Sequence, residues 1–339
     1  MTLPQAEAAV EDLRHAHREL LGVVDSLSEA DWRRSVPYGD WTVKDLVAHV
    51  IGDMSPSGAG LIHSGVLTPE FIASTSRDFD VRARNASIVN ERRRYTKEDL
   101  RQLLFESHDA MIEYALILDE SNLPVLNYPV PMGADYEIEV EDWLWQGYHD
   151  REHTDDMRRA LEINWQPESL TFIPEIEDKL RLNVRAQEGF LRAVYSVADE
   201  SWNDESRDCP GWTFHDILAH VASNEKRREA RLRSAIGDDS QAELAAINDV
   251  DAWNAQAVAH RHSVPTRALV DELQAGWHGI RAVLSHYKAE DLSHPITLGG
   301  GQTVLASEFL DRMAAHTARH AGQLVPASRR NRFAMKTQR

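Results

Sequence analysis

The sequence predicts an all-α protein of two tandem four-helix bundles, one over residues 1–165 and one over 172–330. Three observations carry this. The chain repeats itself at a spacing of about 170 residues. Apolar residues recur at helical spacing in both halves. Glycine (17) and proline (13) are sparse among 339 residues, and aromatic residues make up 7%, a balance that favours helices over sandwiches or barrels. The length itself suits two domains.

The repeat aligns Trp41-Thr42, Asp45 and Ala48-His49-Val50 with Trp212-Thr213, Asp216 and Ala219-His220-Val221, at an offset of 171. Just upstream, Trp32 matches Trp202 at 170. A second match sets Gln146–His153 against Met313–His320 at 167, so short loop differences separate the halves. The first half predicts helices over about 5–27, 42–55, 96–119 and 139–161; the second, over about 174–197, 213–236, 265–288 and 303–324. Leu100, Leu103, Leu104, Met111, Ala115 and Leu118 show the 3–4 spacing of an amphipathic helix, and Leu269, Leu273, Ile280 and Leu284 repeat it. The intervals 56–95 and 237–264 leave room for extra short helices. Pro124, Pro129 and Pro131 break any helix over 122–136, which should cross the bundle end, as should 293–302 with its three consecutive glycines. Thr42…Asp45 and Thr213…Asp216 fit capping boxes, with Asp in place of the usual Glu. The tryptophan before each Thr is expected to staple the bundle end.

The charge of −18 repels phosphate backbones and anionic lipid, so no nucleic-acid partner is expected. Arg92, Arg93 and Arg94 read as a solvated helix end or loop. Cys209 is the single cysteine, which excludes an internal disulfide. It has no local histidine to activate it and reads as a small half-buried residue. The first twenty residues lack a signal-peptide apolar run, and no stretch approaches the ~18 apolar residues of a membrane span. A cytoplasmic location is expected.

The chemistry sits in the histidines. His149 and His153 are four apart, as are His316 and His320. Such pairs share a helix face with Cβ atoms about 5–6 Å apart, which lets two imidazoles bind one ion. His49 and His220, each seven residues beyond its capping Thr, supply a third ligand from a facing helix. Zinc suits the set, with nickel, iron or copper as further options, and a fourth position stays open for water or substrate. Asp53 and Asn224, one turn beyond His49 and His220, are expected to support the ligands from behind. Glu141 and Glu308, two turns before His149 and His316, are weaker candidates for a base. His15, His17, His63, His108, His260, His262, His278, His286 and His294 lack matched partners and read as surface or half-buried groups.

Cys209-Pro210-Gly211-Trp212-Thr213, followed by Asp216 and His220, resembles the signature of the DinB-like superfamily. The branch it looks most like contains the mycothiol-dependent maleylpyruvate isomerase metal-binding domain. The resemblance covers nearly the whole chain, once per half; the first half departs at Tyr38-Gly39-Asp40. It implies DinB-like four-helix bundles with a metal on His49, His149 and His153 and another on His220, His316 and His320. It further implies a low-molecular-weight thiol such as mycothiol or bacillithiol, and S-transferase or isomerase chemistry on a small electrophile. Arg151 and Arg319 are candidates for meeting a thiol's carboxylates. A metal-dependent hydrolase for detoxification and a non-enzymatic ligand-binding or stress protein are the competing expectations. The tandem also suggests an internal pseudo-dimer.

Overall fold

The computed structural model describes residues 3–53, 65, 68–75, 81–131, 137–162, 170–242, 247 and 249–324. The chain is all-α and divides into two compact units, 1–168 and 169–339. In the first, four helices form the bundle: α1 (Pro4–Ser26), α2 (Val43–Asp53), α5 (Lys97–Leu116) and α7 (Gly147–Glu162). Short helices α3 (Pro69–Thr75), α4 (Val81–Arg92) and α6 (Leu123–Leu126) occupy the connections. A two-stranded antiparallel ribbon, β1 (Pro129–Pro131) with β2 (Glu137–Glu139), precedes α7. The second unit repeats the plan with α8 (Pro174–Tyr195), α9 (Phe214–Ala235), α11 (Thr266–Leu284) and α12 (Ala306–Leu324). There α10 (Val250–Arg261) follows α9, and the ribbon is β3 (Pro295–Thr297) with β4 (Thr303–Leu305).

Packing follows the apolar stripes. In the first unit α1 lies against α5 and α7, while α2 lies against α4, α5 and α7. Leu13, Leu20, Leu46, Leu100, Leu104 and Met157 fill the space between them. In the second, α8 packs on α12 and α9 on α10, α11 and α12, around Ile176, Leu232, Ile280, Phe309, Leu310 and Met313. Each fully buried Leu or Ile contributes roughly 1.5–3 kcal/mol against exposure.

The start of each second helix is fixed by its cap. The Thr213 hydroxyl accepts from Asp216 N–H at 3.1 Å, and the Asp216 carboxylate accepts from Thr213 N–H at 3.0 Å. Thr42 and Asp45 make the same pair at 3.3 and 3.0 Å. The turn before the cap closes from Val36 N to Trp41 O in the first unit and from Ser206 N to Trp212 O in the second. The second loop is longer by one residue, which is the step from offset 170 to 171. Each turn holds one left-handed glycine, Gly39 or Gly211.

The helix expected over 139–161 begins only at Gly147. Residues before it pair in the ribbon and then form a 3-10 turn, Val140–Leu144, where the Asp142 carboxylate accepts from Glu139 N–H at 2.9 Å. That local capping competes with the α-helix. The helix expected from 303 likewise begins at Ala306, because Thr303–Leu305 pairs with β3.

Candidate metal centres

On α7, His149 and His153 stand one turn apart, and His49 reaches them from α2. His49 Nε2 lies 3.2 Å from His149 Nε2, and His153 Nε2 lies 3.1 Å from the same atom. All three are buried. The Nδ1 of His153 is 3.0 Å from an Asp156 carboxylate oxygen, which also accepts the Tyr38 hydroxyl at 2.6 Å. A carboxylate can only accept here, so Nδ1 carries the hydrogen and Nε2 keeps its lone pair toward the other imidazoles.

The second unit builds the same figure. His316 Nε2 lies 3.2 Å from both His220 Nε2 and His320 Nε2. The Nδ1 of His320 sits 2.6 Å from the Gln323 side-chain oxygen, and the Gln323 amide donates to the Asp208 carbonyl at 3.3 Å. Burial, and after it His320 and then Arg228, Arg227 and Arg319, pushes His220 down to about 3. Burial and then Arg319 bring His320 to about 4, with Gln323 acting the other way. His316 is driven down as well, by burial first and Arg228 next. These rings are therefore neutral at pH 7, with lone pairs available.

The spacing suits one ion per triad. Two nitrogens 3.1–3.2 Å apart, each about 2.0–2.1 Å from a shared ion, subtend roughly 100° at it. That falls between octahedral and tetrahedral angles. The tryptophans before the caps flank these sites: Trp41 has its ring centre 5.3 Å from that of His49, and Trp212 meets His220 edge-on at 5.0 Å. They are thus walls of the sites as well as bundle-end packing.

The other candidates divide. Asn224 is buried, its amide nitrogen 3.1 Å from His220 Nδ1 and 2.9 Å from the His220 carbonyl. Asp53 ends α2, and its side chain lies outside the described residues, as does His63. Glu141 is buried in the 3-10 turn. With no helix there, its expected register two turns before His149 does not hold. Glu308 is exposed and caps its own helix, accepting from Leu305 N–H at 3.4 Å. Arg151 is ion-paired with Asp12 at 2.9 Å, while Arg319 is exposed and lowers the pKa of His316 and His320. Burial pushes the Cys209 thiol up, so it is not an activated nucleophile.

Two histidines expected at or near the surface are in the core. His108 is fully buried, with Nε2 2.7 Å from Asp150 Oδ2 and Nδ1 2.9 Å from the Leu104 carbonyl. His17 stacks on it with ring centres 3.4 Å apart. The correction is tertiary: α1, α5 and α7 converge, and each histidine lies on the inward face of its helix. These three residues also come within mutual reach of one ion. Both nitrogens of His108 are already engaged, by Asp150 and by the Leu104 carbonyl, which argues against that use. Asp156 and Gln323 were missed as supporting groups. Each follows the last histidine of its triad by three residues, at the repeat's own offset of 167, a signal that could have found them.

A family model described as the mycothiol maleylpyruvate isomerase N-terminal domain matches the chain twice, at 13–150 and 184–324. No curated protein sequence matches significantly. Two solved structures are similar: the mycothiol-dependent maleylpyruvate isomerase (20% identity, TM-score 0.40) and a mutant of it (20%, 0.39). The matches cover 46% and 45% of this chain but only 62% and 61% of those chains, less than two thirds of their length.

Proposed function

Since the chain belongs, in both halves, to the mycothiol maleylpyruvate isomerase N-terminal domain family, we propose that it is a metal-dependent enzyme using a low-molecular-weight thiol on a small electrophile. The reaction class is S-transfer or isomerisation. The observation that carries this reading is the doubled triad: in each, two imidazole Nε2 atoms lie 3.1–3.2 Å from the third, and one ring is held by a polar side chain.

His49, His149 and His153 would hold one divalent ion, and His220, His316 and His320 the other. Zinc fits the all-imidazole set; nickel and iron are the next options. Such an ion supplies Lewis acidity that keeps a coordinated thiol deprotonated at neutral pH. The protein's own contribution is positional. Asp156 and Gln323 fix the ring planes of His153 and His320. Trp41 and Trp212 place apolar surface beside His49 and His220, which excludes water from one side of each triad. Among the described residues no helix is long and apolar enough to cross a membrane, in keeping with a small-molecule substrate met in water.

The test is elemental analysis of untagged protein purified without chelator, beside a His49→Ala/His220→Ala variant, followed by assays with mycothiol and a panel of electrophiles. About two ions per chain, lost in the variant, with turnover only when thiol is present, is the expected result. Turnover without thiol would replace this reading by a hydrolase. Failure to take up any metal would overturn it in favour of a ligand-binding protein.

A further inference from the structure

The two units differ beyond their triads. In the second, α9 runs on past His220 as a buried polar stripe of Asn224, Arg227, Arg228 and Arg231, all under a tenth exposed. At the repeat offset of 171 the first half has Pro56 and Ser57 where Arg227 and Arg228 stand. The stripe therefore belongs to the second unit alone.

Its arginines are not equally neutralised. Arg228 pairs with the fully buried Glu225 at 2.5 Å and donates to the Thr317 hydroxyl, beside His316, at 3.2 Å. Arg227 has no such carboxylate partner among the described residues. It donates through Nη2 to the Asn224 side-chain oxygen at 2.7 Å, and its guanidinium lies 4.6 Å from the centre of the Trp253 ring. Its Nε and Nη1 are buried without a hydrogen-bond partner among the described residues. Burial, with Arg231 and Arg228 adding repulsion, brings its pKa down to about 10. A buried cation without a counter-charge is expensive, and proteins keep one where a ligand supplies the missing charge.

The geometry of the unused donors indicates which charge. Nη2 has two N–H groups, and Asn224 takes one. Whichever edge of the guanidinium that leaves, the other edge keeps a complete pair of parallel N–H donors, from Nη2 and either Nε or Nη1. That fork matches a planar carboxylate. Asn224 links it directly to the reaction centre, touching Arg227 on one side and His220 on the other.

We infer that the second unit, and not the first, binds the carboxylate end of a small-molecule ligand on Arg227, beside His220, His316 and His320. The anion site rests on Arg227 itself; its meaning as a substrate site rests on the reading of the triad given above.

The experiment is calorimetric titration of the full-length chain with succinate, on metal-free and zinc-loaded protein, together with thermal melting. The wild type should bind one succinate per chain. Arg227→Met should weaken binding by about 10- to 100-fold, the loss of a charge-assisted hydrogen-bond pair, and Arg227→Lys by less. Succinate should raise the melting temperature of the wild type and leave that of Arg227→Met unmoved. Without ligand, Arg227→Met should melt no lower than the wild type, because it removes an uncompensated charge; a purely structural arginine would give the opposite. Undiminished binding in Arg227→Met, or no binding by the wild type, would overturn the inference. A chain that takes up no zinc yet binds succinate through Arg227 keeps the anion site and loses the metal reading. One that loads zinc at both triads without binding succinate does the reverse.

Discussion

The pair His108–Asp150 offers the sharpest stability test in the first unit. Both side chains are fully buried, 2.7 Å apart, and His108 also bonds the Leu104 carbonyl and stacks on His17. His108→Leu keeps the volume nearly unchanged but strips Asp150 of its partner; the other carboxylate oxygen has none among the described residues. Leaving one member of such a pair buried and uncompensated costs about 3–5 kcal/mol. At a urea dependence of about 2 kcal/mol per molar, the midpoint for this unit falls by roughly 2 M. The unfolded fraction rises about a thousandfold, at about 1.4 kcal/mol per decade. The double variant His108→Leu/Asp150→Ala removes both polar groups at similar total volume. It should return to within about 1.5 kcal/mol of the wild type. The assay is urea unfolding of metal-free protein followed by far-UV circular dichroism. A midpoint shift below about 0.5 M for the single variant, or a double variant less stable than the single, would refute the reasoning.

Three further outcomes are expected. Asp156→Ala should weaken metal binding at the first triad by about 10- to 100-fold, measured by competition with a chromogenic chelator; Gln323→Ala should act only on the second. His17, held down at about 4 from 6.5 mainly by burial and then by His108, with Asp150 opposing, makes stability depend on pH. Above 6.5 the contribution is intact; as pH falls toward 4 the unfolded chain takes up a proton that the folded one refuses. The first unit should thus lose up to about 1.4 kcal/mol per pH unit in that window, a slope that His17→Phe abolishes in unfolding titrations. Gly276→Ala should destabilise the second unit by about 1–3 kcal/mol in thermal or urea melts, because a Cβ there would stand 2.4 Å from the Cβ of Glu225.

What the sequence determined by itself is whatever repeats or has a period. The 3–4 spacing placed the bundle helices because a helix must turn one face to the core. The caps at Thr42 and Thr213 set where α2 and α9 begin, since a capping box needs only neighbours in sequence. The histidine triads were legible because both halves keep them, His49 and His220 at an offset of 171 and the paired histidines at 167. Periodicity failed where local bonding won: the 3-10 turn around Asp142 displaced the start of α7 and with it the register assumed for Glu141. Tertiary structure alone decided the rest. His17, His108 and Asp150 come from three helices and have no counterpart at the repeat positions, so nothing along the chain linked them. Nothing in the sequence sets Arg227 and Arg228 apart from other arginines, because burial of a charge is set by what packs over it. Here α10, α11 and α12 all pack against α9, and that enclosure turns a polar stripe into a buried, charge-bearing wall.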